Sequence, residues 1–356
     1  MTSEVPNEPA SQHSEDAASA GITRRSVVRA AGAGALALGL GGATGAAAQA
    51  ASAATRKGPG SSSQPPNPPP KGFTSRFISA NGLRQHVVIG GDGPPLLLVH
   101  GWPQFWYAWR LIMPALARQF RVIAPDQRGR GQTSKPPPGT SGHGYDTGTL
   151  ADDLAALMDA LGHQSFSVVG HDTGMDIAYA LAADHSGRVK RLAVAEAVLP
   201  GVAPSPPIFV PGPVNEMLFH LMFNRLPMMN DQLVHGREDI FFGFIFDVEA
   251  FNKLPSSAVR VYIDNLADSL ASLLGSFGFY RAVDTTTAQN QQRAKTPLTL
   301  PVLAIGGAES AGTAVGEAMM LAATNVQTLV IRSCGHFVPD EAPKQLLAAL
   351  IPFLTA

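Results

Sequence analysis

The chain has 356 residues, a net charge of −1 and one cysteine, Cys334. Its 45% hydrophobic and 15% charged residues suit a globular protein with a sizeable core. The near-zero charge gives no electrostatic ground for nucleic acid or an anionic membrane surface as partner, and a lone cysteine excludes an intrachain disulfide framework and a cysteine metal cluster.

The first stretch, residues 1–50, is not read as fold. Thr23-Arg24-Arg25-Ser26-Val27-Val28-Arg29 precedes a mildly apolar Ala/Gly/Leu run, and Ala48-Gln49-Ala50 supplies small residues for cleavage. This resembles a twin-arginine export signal and implies a periplasmic or secreted protein, with membrane contact only through that signal. Residues 51–71, rich in Pro, Ser and Gly, read as a flexible linker.

From there the elements follow in order. Residues 73–79 and 84–89 read as two antiparallel strands joined at Asn81-Gly82. Pro95-Leu96-Leu97-Leu98-Val99-His100 is a continuous apolar run, as in a strand buried on both faces, and leads into His100-Gly101-Trp102-Pro103. A helix is expected over 105–118 and a strand over 121–125, then a Gly-rich loop from Asp126 to Pro136. This loop lacks the Lys-Ser/Thr ending of a phosphate-binding loop. Helical periodicity over 149–161 leads to Phe166-Ser167-Val168-Val169, and then to Gly170-His171-Asp172-Thr173-Gly174 and a helix from Met175. Another strand over 190–195 ends at Glu196. Residues 200–296 lose the strand–helix rhythm and read as a helical lid, after which strands over 300–305 and 326–331, both expected to be buried, and a helix over 342–350 complete a core made of 72–199 and 297–356. The alternation argues for an α/β chain with a mainly parallel, doubly wound sheet.

Strand, Gly-x-Asp-x-Gly turn and helix frame a sharp elbow that exposes the side chain of Asp172. Four motifs in order carry a resemblance: His100-Gly101-Trp102-Pro103, the Asp126–Pro136 loop, Gly170-His171-Asp172-Thr173-Gly174, and Gly335-His336-Phe337. The chain resembles the α/β-hydrolases, and among them the epoxide hydrolases. The resemblance implies an eight-stranded, mainly parallel sheet with a lid inserted after the sixth strand, and no cofactor or metal. It further implies Asp172 as nucleophile, His336 as general base, N–H groups of Trp102 and Thr173 as an oxyanion hole, and a cis peptide at Trp102-Pro103.

An Asp at the elbow narrows the substrate by chemistry alone. Attack by a carboxylate on an ester or amide carbonyl gives an anhydride, whereas attack on a saturated carbon gives an ordinary ester that water cleaves. Epoxides and alkyl halides therefore fit better than esters or peptides. The base needs an orienting acid. Glu196, after the sixth strand, and Glu309, after the seventh, are the candidates, and the resemblance favours Glu196. An epoxide also needs a donor for its oxygen, which the family supplies from the lid as two Tyr or a Tyr–His pair. His220 and Tyr262 stand near the matching places, and a second Tyr position falls on Ala267. A halide needs N–H donors, typically Trp, yet Trp102, Trp106 and Trp109 all follow His100-Gly101, and no arginine follows Asp172 to hold a haloacid carboxylate. Phe209, Phe219, Phe223, Phe241, Phe242, Phe244 and Phe246 suggest a small apolar epoxide-type substrate. A dehalogenase with the same nucleophile, and a non-catalytic binding protein on a hydrolase scaffold, are the alternative readings.

Overall fold

The computed structural model describes residues 67–207 and 209–356. The export signal expected over 1–50 and most of the linker lie outside these residues. The hairpin forms as its sequence predicts: β1 (Phe73–Ala80) and β2 (Leu83–Gly90) pair antiparallel across Asn81 and Gly82, both at positive φ. β3 (Pro95–Val99), β4 (Arg121–Pro125), β5 (Phe166–His171), β6 (Val189–Ala195), β7 (Val302–Gly307) and β8 (Val326–Ile331) complete an eight-stranded sheet in the order β1-β2-β4-β3-β5-β6-β7-β8. β2 runs antiparallel to β1 and β4, and all other pairs are parallel.

The apolar run of β3 is explained by two cores. Leu96 and Leu98 pack on one face with Trp102, Trp106, Trp109 and the lid, while Leu97 and Val99 pack on the other with the helices Thr147–Ala160 and Thr173–Asp184. A strand buried on both faces has no room for alternation.

Two expectations change. The helix expected over 105–118 is a 3-10 turn, Trp106–Trp109, and a separate short helix, Met113–Leu116. Pro114 has no N–H to donate, and its ring would collide with the carbonyl four residues back, so the helix restarts just before it. β8 is not a buried strand. Gln327, Thr328 and Val330 are exposed because β8 closes the edge of the sheet, where only one neighbour covers it.

Between β6 and β7 the chain is helical, from Gly212–Phe223 through Glu238–Glu249, Ser256–Ala267 and Leu270–Arg281 to Val283–Arg293. These helices lie over the carboxyl ends of the strands, where open parallel sheets place their ligand sites.

Candidate active site

The elbow is built by close approach. Asp172 is held at φ 52°, a left-handed conformation that costs a non-glycine residue of order 1–3 kcal/mol. The turn is possible only because the residues two places before and after Asp172, Gly170 and Gly174, lack side chains. A Cβ on Gly170 would run into the carbonyl of Gly174, and one on Gly174 into the carbonyl of Val99. Register fixes what stands beside the elbow. Asp172 N–H donates to Ala195 O at 2.8 Å, and Glu196 N–H to Ile305 O at 3.2 Å, so the ends of β5, β6 and β7 converge.

Trp102 N–H donates to Asp172 Oδ1 at 2.7 Å, from the loop after β3, where the Trp102-Pro103 peptide is cis. Thr173 opens the next helix and is buried, but its N–H makes no hydrogen bond to that carboxylate. On the other side, His336 Nε2 lies 3.6 Å from Asp172 Oδ2, and His336 Nδ1 lies 3.3 Å from Glu196 Oε2. Glu196 is at positive φ, and its carboxylate accepts from the N–H groups of Gly307 and Ala311. Glu309, the other candidate acid, is exposed, with its N–H on Cys334 O. The structure thus brings Glu196, not Glu309, to the imidazole. His171 donates from Nε2 to His336 O at 2.7 Å and holds the His336 loop against the elbow, while His100 Nε2 accepts from Gln127 N–H. Burial pushes both His171 and His100 down to about 4, so they are neutral struts.

His336 behaves in the opposite way. Burial favours the neutral ring, but the hydrogen bond to Glu196 and the charges of Glu249, Asp172 and Glu196 outweigh it and raise its pKa to about 10. A carboxylate, an imidazole and a second carboxylate in succession can supply a nucleophile, a base and an orienting acid.

The lid supplies the roof. His220 is buried, stacks on the Trp102 indole at 4.9 Å between centroids and donates from Nδ1 to Met217 O at 2.9 Å. Burial, set against the Asp172 charge, lowers its pKa to about 4. The expectation for Tyr262 is corrected. Its hydroxyl donates to Asp340 Oδ2 at 2.8 Å and accepts from Arg110 at 3.0 Å, in a buried cluster that ties the lid to the segment after His336. Its single O–H is committed to Asp340, so it has no donor left for a ligand. The tyrosine beside His220 and Trp102 is Tyr280, whose ring stands nearly perpendicular to both, with centroids at 5.8 and 5.4 Å. Its buried hydroxyl has no hydrogen-bond partner. Asn224 approaches it without alignment, and its own amide atoms are also unpaired. Burial first, then the Asp172 and Glu249 charges, hold the Tyr280 phenol well above its usual range, so it stays protonated.

Two further features escape a sequence reading. Glu249, at the end of the helix Glu238–Glu249, turns its carboxyl into the site. The signal for it was present: Phe242, Ile245, Phe246 and Glu249 form one stripe at helical spacing, and all four are buried. Of the lid phenylalanines, Phe241 and Phe242 pack on Trp102, whereas Phe209 is 94% exposed and Phe244 is also exposed, so neither of these two lines the site.

A model of the alpha/beta hydrolase fold matches residues 94–343. The chain belongs to the α/β-hydrolase fold family. It is 35% identical over 288 residues to a soluble epoxide hydrolase of Corynebacterium sp. (strain C12), which covers 79% of this chain and 97% of the relative. It is also 37% identical over 128 residues to a fluoroacetate dehalogenase of Burkholderia sp., covering 36% of this chain and 42% of that one. Among solved structures, Cfl2 of Burkholderia cenocepacia matches with a TM-score of 0.75 and 34% identity over 80% of this chain and 96% of the other. The protein is therefore a hydrolase enzyme, and its epoxide hydrolase relative matches across the sheet and the lid together.

Proposed function

We propose that this hydrolase opens small apolar epoxides to vicinal diols through a covalent ester on Asp172. The observation that carries the reading is the roof over Asp172: a protonated tyrosine, Tyr280, with an unpaired buried hydroxyl, beside a neutral His220. A buried hydroxyl without a partner costs about 1–3 kcal/mol. An alkoxide oxygen developing above the carboxylate would satisfy it, whereas a departing halide ion needs no proton. Thr173, Met175 and Asp176 follow Asp172 where a haloacid would need a cation.

In this reading an oxygen of Asp172 attacks the less hindered epoxide carbon, the C–O bond breaks, and Tyr280 gives its proton to the oxygen. His336, oriented by Glu196, then takes a proton from water, and the hydroxyl adds to the Asp172 carboxyl carbon. Charge on the carboxyl oxygen is met by Trp102 N–H, already in place, and by Thr173 N–H, which has yet to engage. Incubation with styrene oxide, 1,2-epoxyhexane, 1-chlorobutane and fluoroacetate tests it. Diol from the epoxides, no halide from the others and no turnover by Asp172→Ala are expected. Faster halide release than diol formation would shift the reading to dehalogenation.

The arginine pair supports a second proposal, that the enzyme is exported folded by the twin-arginine route. Changing Arg24 and Arg25 both to Lys keeps the charge and should leave the enzyme in the cytoplasm, as read by fractionation. Unimpaired export of that variant would refute it.

A further inference from the structure

A hydroxyl, an imidazole and a carboxylate also stand in hydrogen-bonded succession outside the Asp172 site, at the hairpin edge of the sheet. Ser75 Oγ on β1 lies 2.7 Å from His86 Nε2 on β2. His86 Nδ1 lies 2.7 Å from Oδ2 of Asp126, the residue after β4. The side chains meet because Ser75 and Phe77 share one face of β1, and Phe77 pairs with His86 across the hairpin. His86 and Asp126 are buried, whereas Ser75 is exposed.

The acceptors decide where the protons sit. Asp126 also accepts from Trp106 N–H on Oδ1 at 3.0 Å and from Gln132 N–H on Oδ2 at 2.9 Å. Burial works against its charge, but the hydrogen bond from His86 and the N–H of Trp106 hold the carboxyl below its usual range. An ionised carboxylate has no proton to give, so His86 Nδ1 carries the hydrogen and donates it. In the neutral ring Nε2 is then bare, and the Ser75 O–H donates to it. Base and acid are also fixed to each other. His86 N–H donates to Thr133 Oγ1 at 2.8 Å, that hydroxyl donates to Asp126 O at 2.7 Å, and Asp126 N–H donates to His86 O at 3.0 Å. Two buried groups thus aim one ring lone pair at a hydroxyl that solvent can reach.

We propose that Ser75, activated by His86 and Asp126, is a second nucleophile of this protein and transfers acyl groups from small activated carboxylic esters to water. Roles and geometry, not sequence position, define such a set. Phe73, half-buried, and Phe77, 38% exposed, stand two residues to either side of Ser75 on the same face, beside the place a short acyl or aryl group would take. Among the described residues β1 pairs only with β2, so alternate N–H groups along it face outward, where one can meet the carbonyl oxygen as it gains charge. In the first step Ser75 Oγ bonds to the carbonyl carbon and its proton passes to His86 Nε2. The bond to the leaving alcohol breaks, and the alcohol oxygen takes that proton. Water then adds to the acyl carbon and gives a proton to Nε2, the bond to Ser75 Oγ breaks, and Oγ takes the proton back. The sum is ester plus water to acid plus alcohol. Asp172 has no part in it.

The test uses the full chain with a fluorophosphonate, which bonds through phosphorus to an activated serine oxygen as fluoride leaves, and with p-nitrophenyl acetate. Wild type and Asp172→Ala should both gain the phosphonyl group on the peptide that contains Ser75, and both should turn over the ester. Ser75→Ala should lose label and ester turnover alike, while its diol formation from styrene oxide stays at the wild-type rate. His86→Gln keeps a polar group opposite Ser75 but no base, and should label about 10²-fold more slowly. A label confined to other residues, ester turnover that survives Ser75→Ala unchanged, or equal labelling in His86→Gln overturns the proposal. If His86→Gln does not fold, the pH dependence of labelling in wild type decides. A hydroxyl assisted by the ring reaches a plateau once the ring is neutral, whereas an unassisted one climbs about tenfold per pH unit throughout, and that climb overturns the proposal. Diol formation is read separately, so failure at Ser75 leaves the Asp172 reading standing, and failure at Asp172 leaves this one.

Discussion

His336→Gln enzyme incubated with styrene oxide should gain the mass of the whole epoxide, localised to the peptide that contains Asp172. Attack on a saturated carbon by a carboxylate needs no general base, because the nucleophile is already an anion. Hydrolysis of the ester does need one, since water must lose a proton as it adds to the carboxyl carbon. The steps therefore depend on different groups, and removing the imidazole should stall only the second, by about 10²–10⁴-fold. An alkyl halide would add the alkyl group without the halogen, so one spectrum separates the two leading substrate classes. Glu196→Gln should stall the ester in the same direction, because the Glu196 carboxylate lies 3.3 Å from His336 Nδ1 and fixes the ring. Glu309→Gln, at an exposed position after β7, should change nothing. An adduct on Ser167 instead, or an active Asp172→Ala enzyme, would remove the covalent mechanism.

How much of this was legible in the sequence depends on the range of the interaction. The hairpin at Asn81-Gly82 and the elbow at Gly170 to Gly174 are set by local sterics, and their residues announce them. β3 is readable because double burial leaves an unbroken apolar run. The edge position of β8 is not, since the same kind of run serves a strand covered by two neighbours or by one. The lid is hardest. Ala258, Tyr262 and Leu266 form a buried helical stripe, and so do Leu273, Phe277 and Tyr280. Periodicity alone gives both tyrosines an inward direction. Partners distant in sequence decide between them: Arg110 and Asp340 claim Tyr262, and no such partner claims Tyr280. Glu249 breaks the rule that a carboxylate at the end of a helix faces water, and a charged residue in an apolar stripe was its one local sign.

Tyr280→Phe should therefore do what a donor model built on Tyr262 would ascribe to Tyr262→Phe. The hydroxyl of Tyr280 has no partner in the resting site, so its removal leaves no donor or acceptor stranded and costs little stability. Its loss is felt only when the epoxide oxygen develops charge. Alkylation of Asp172 in single turnover should slow by about 10²–10³-fold, the scale for removing one aimed donor. Hydrolysis of an ester already formed should hardly change. Tyr262→Phe predicts the reverse pattern. It leaves Asp340, already held up in pKa by burial against the pull of Arg110, with one donor fewer in a buried cluster. The expected result is a melting temperature lowered by several degrees, as for a loss of about 1–3 kcal/mol, with the alkylation rate per folded molecule near wild type. The two phenylalanine variants thus separate along different axes, chemistry for one and stability for the other. If Tyr262→Phe proved the slow alkylator and Tyr280→Phe the normal one, the epoxide oxygen would have to sit on the Arg110–Asp340 side of the lid. The roof of Tyr280, His220 and Trp102 would then be packing alone.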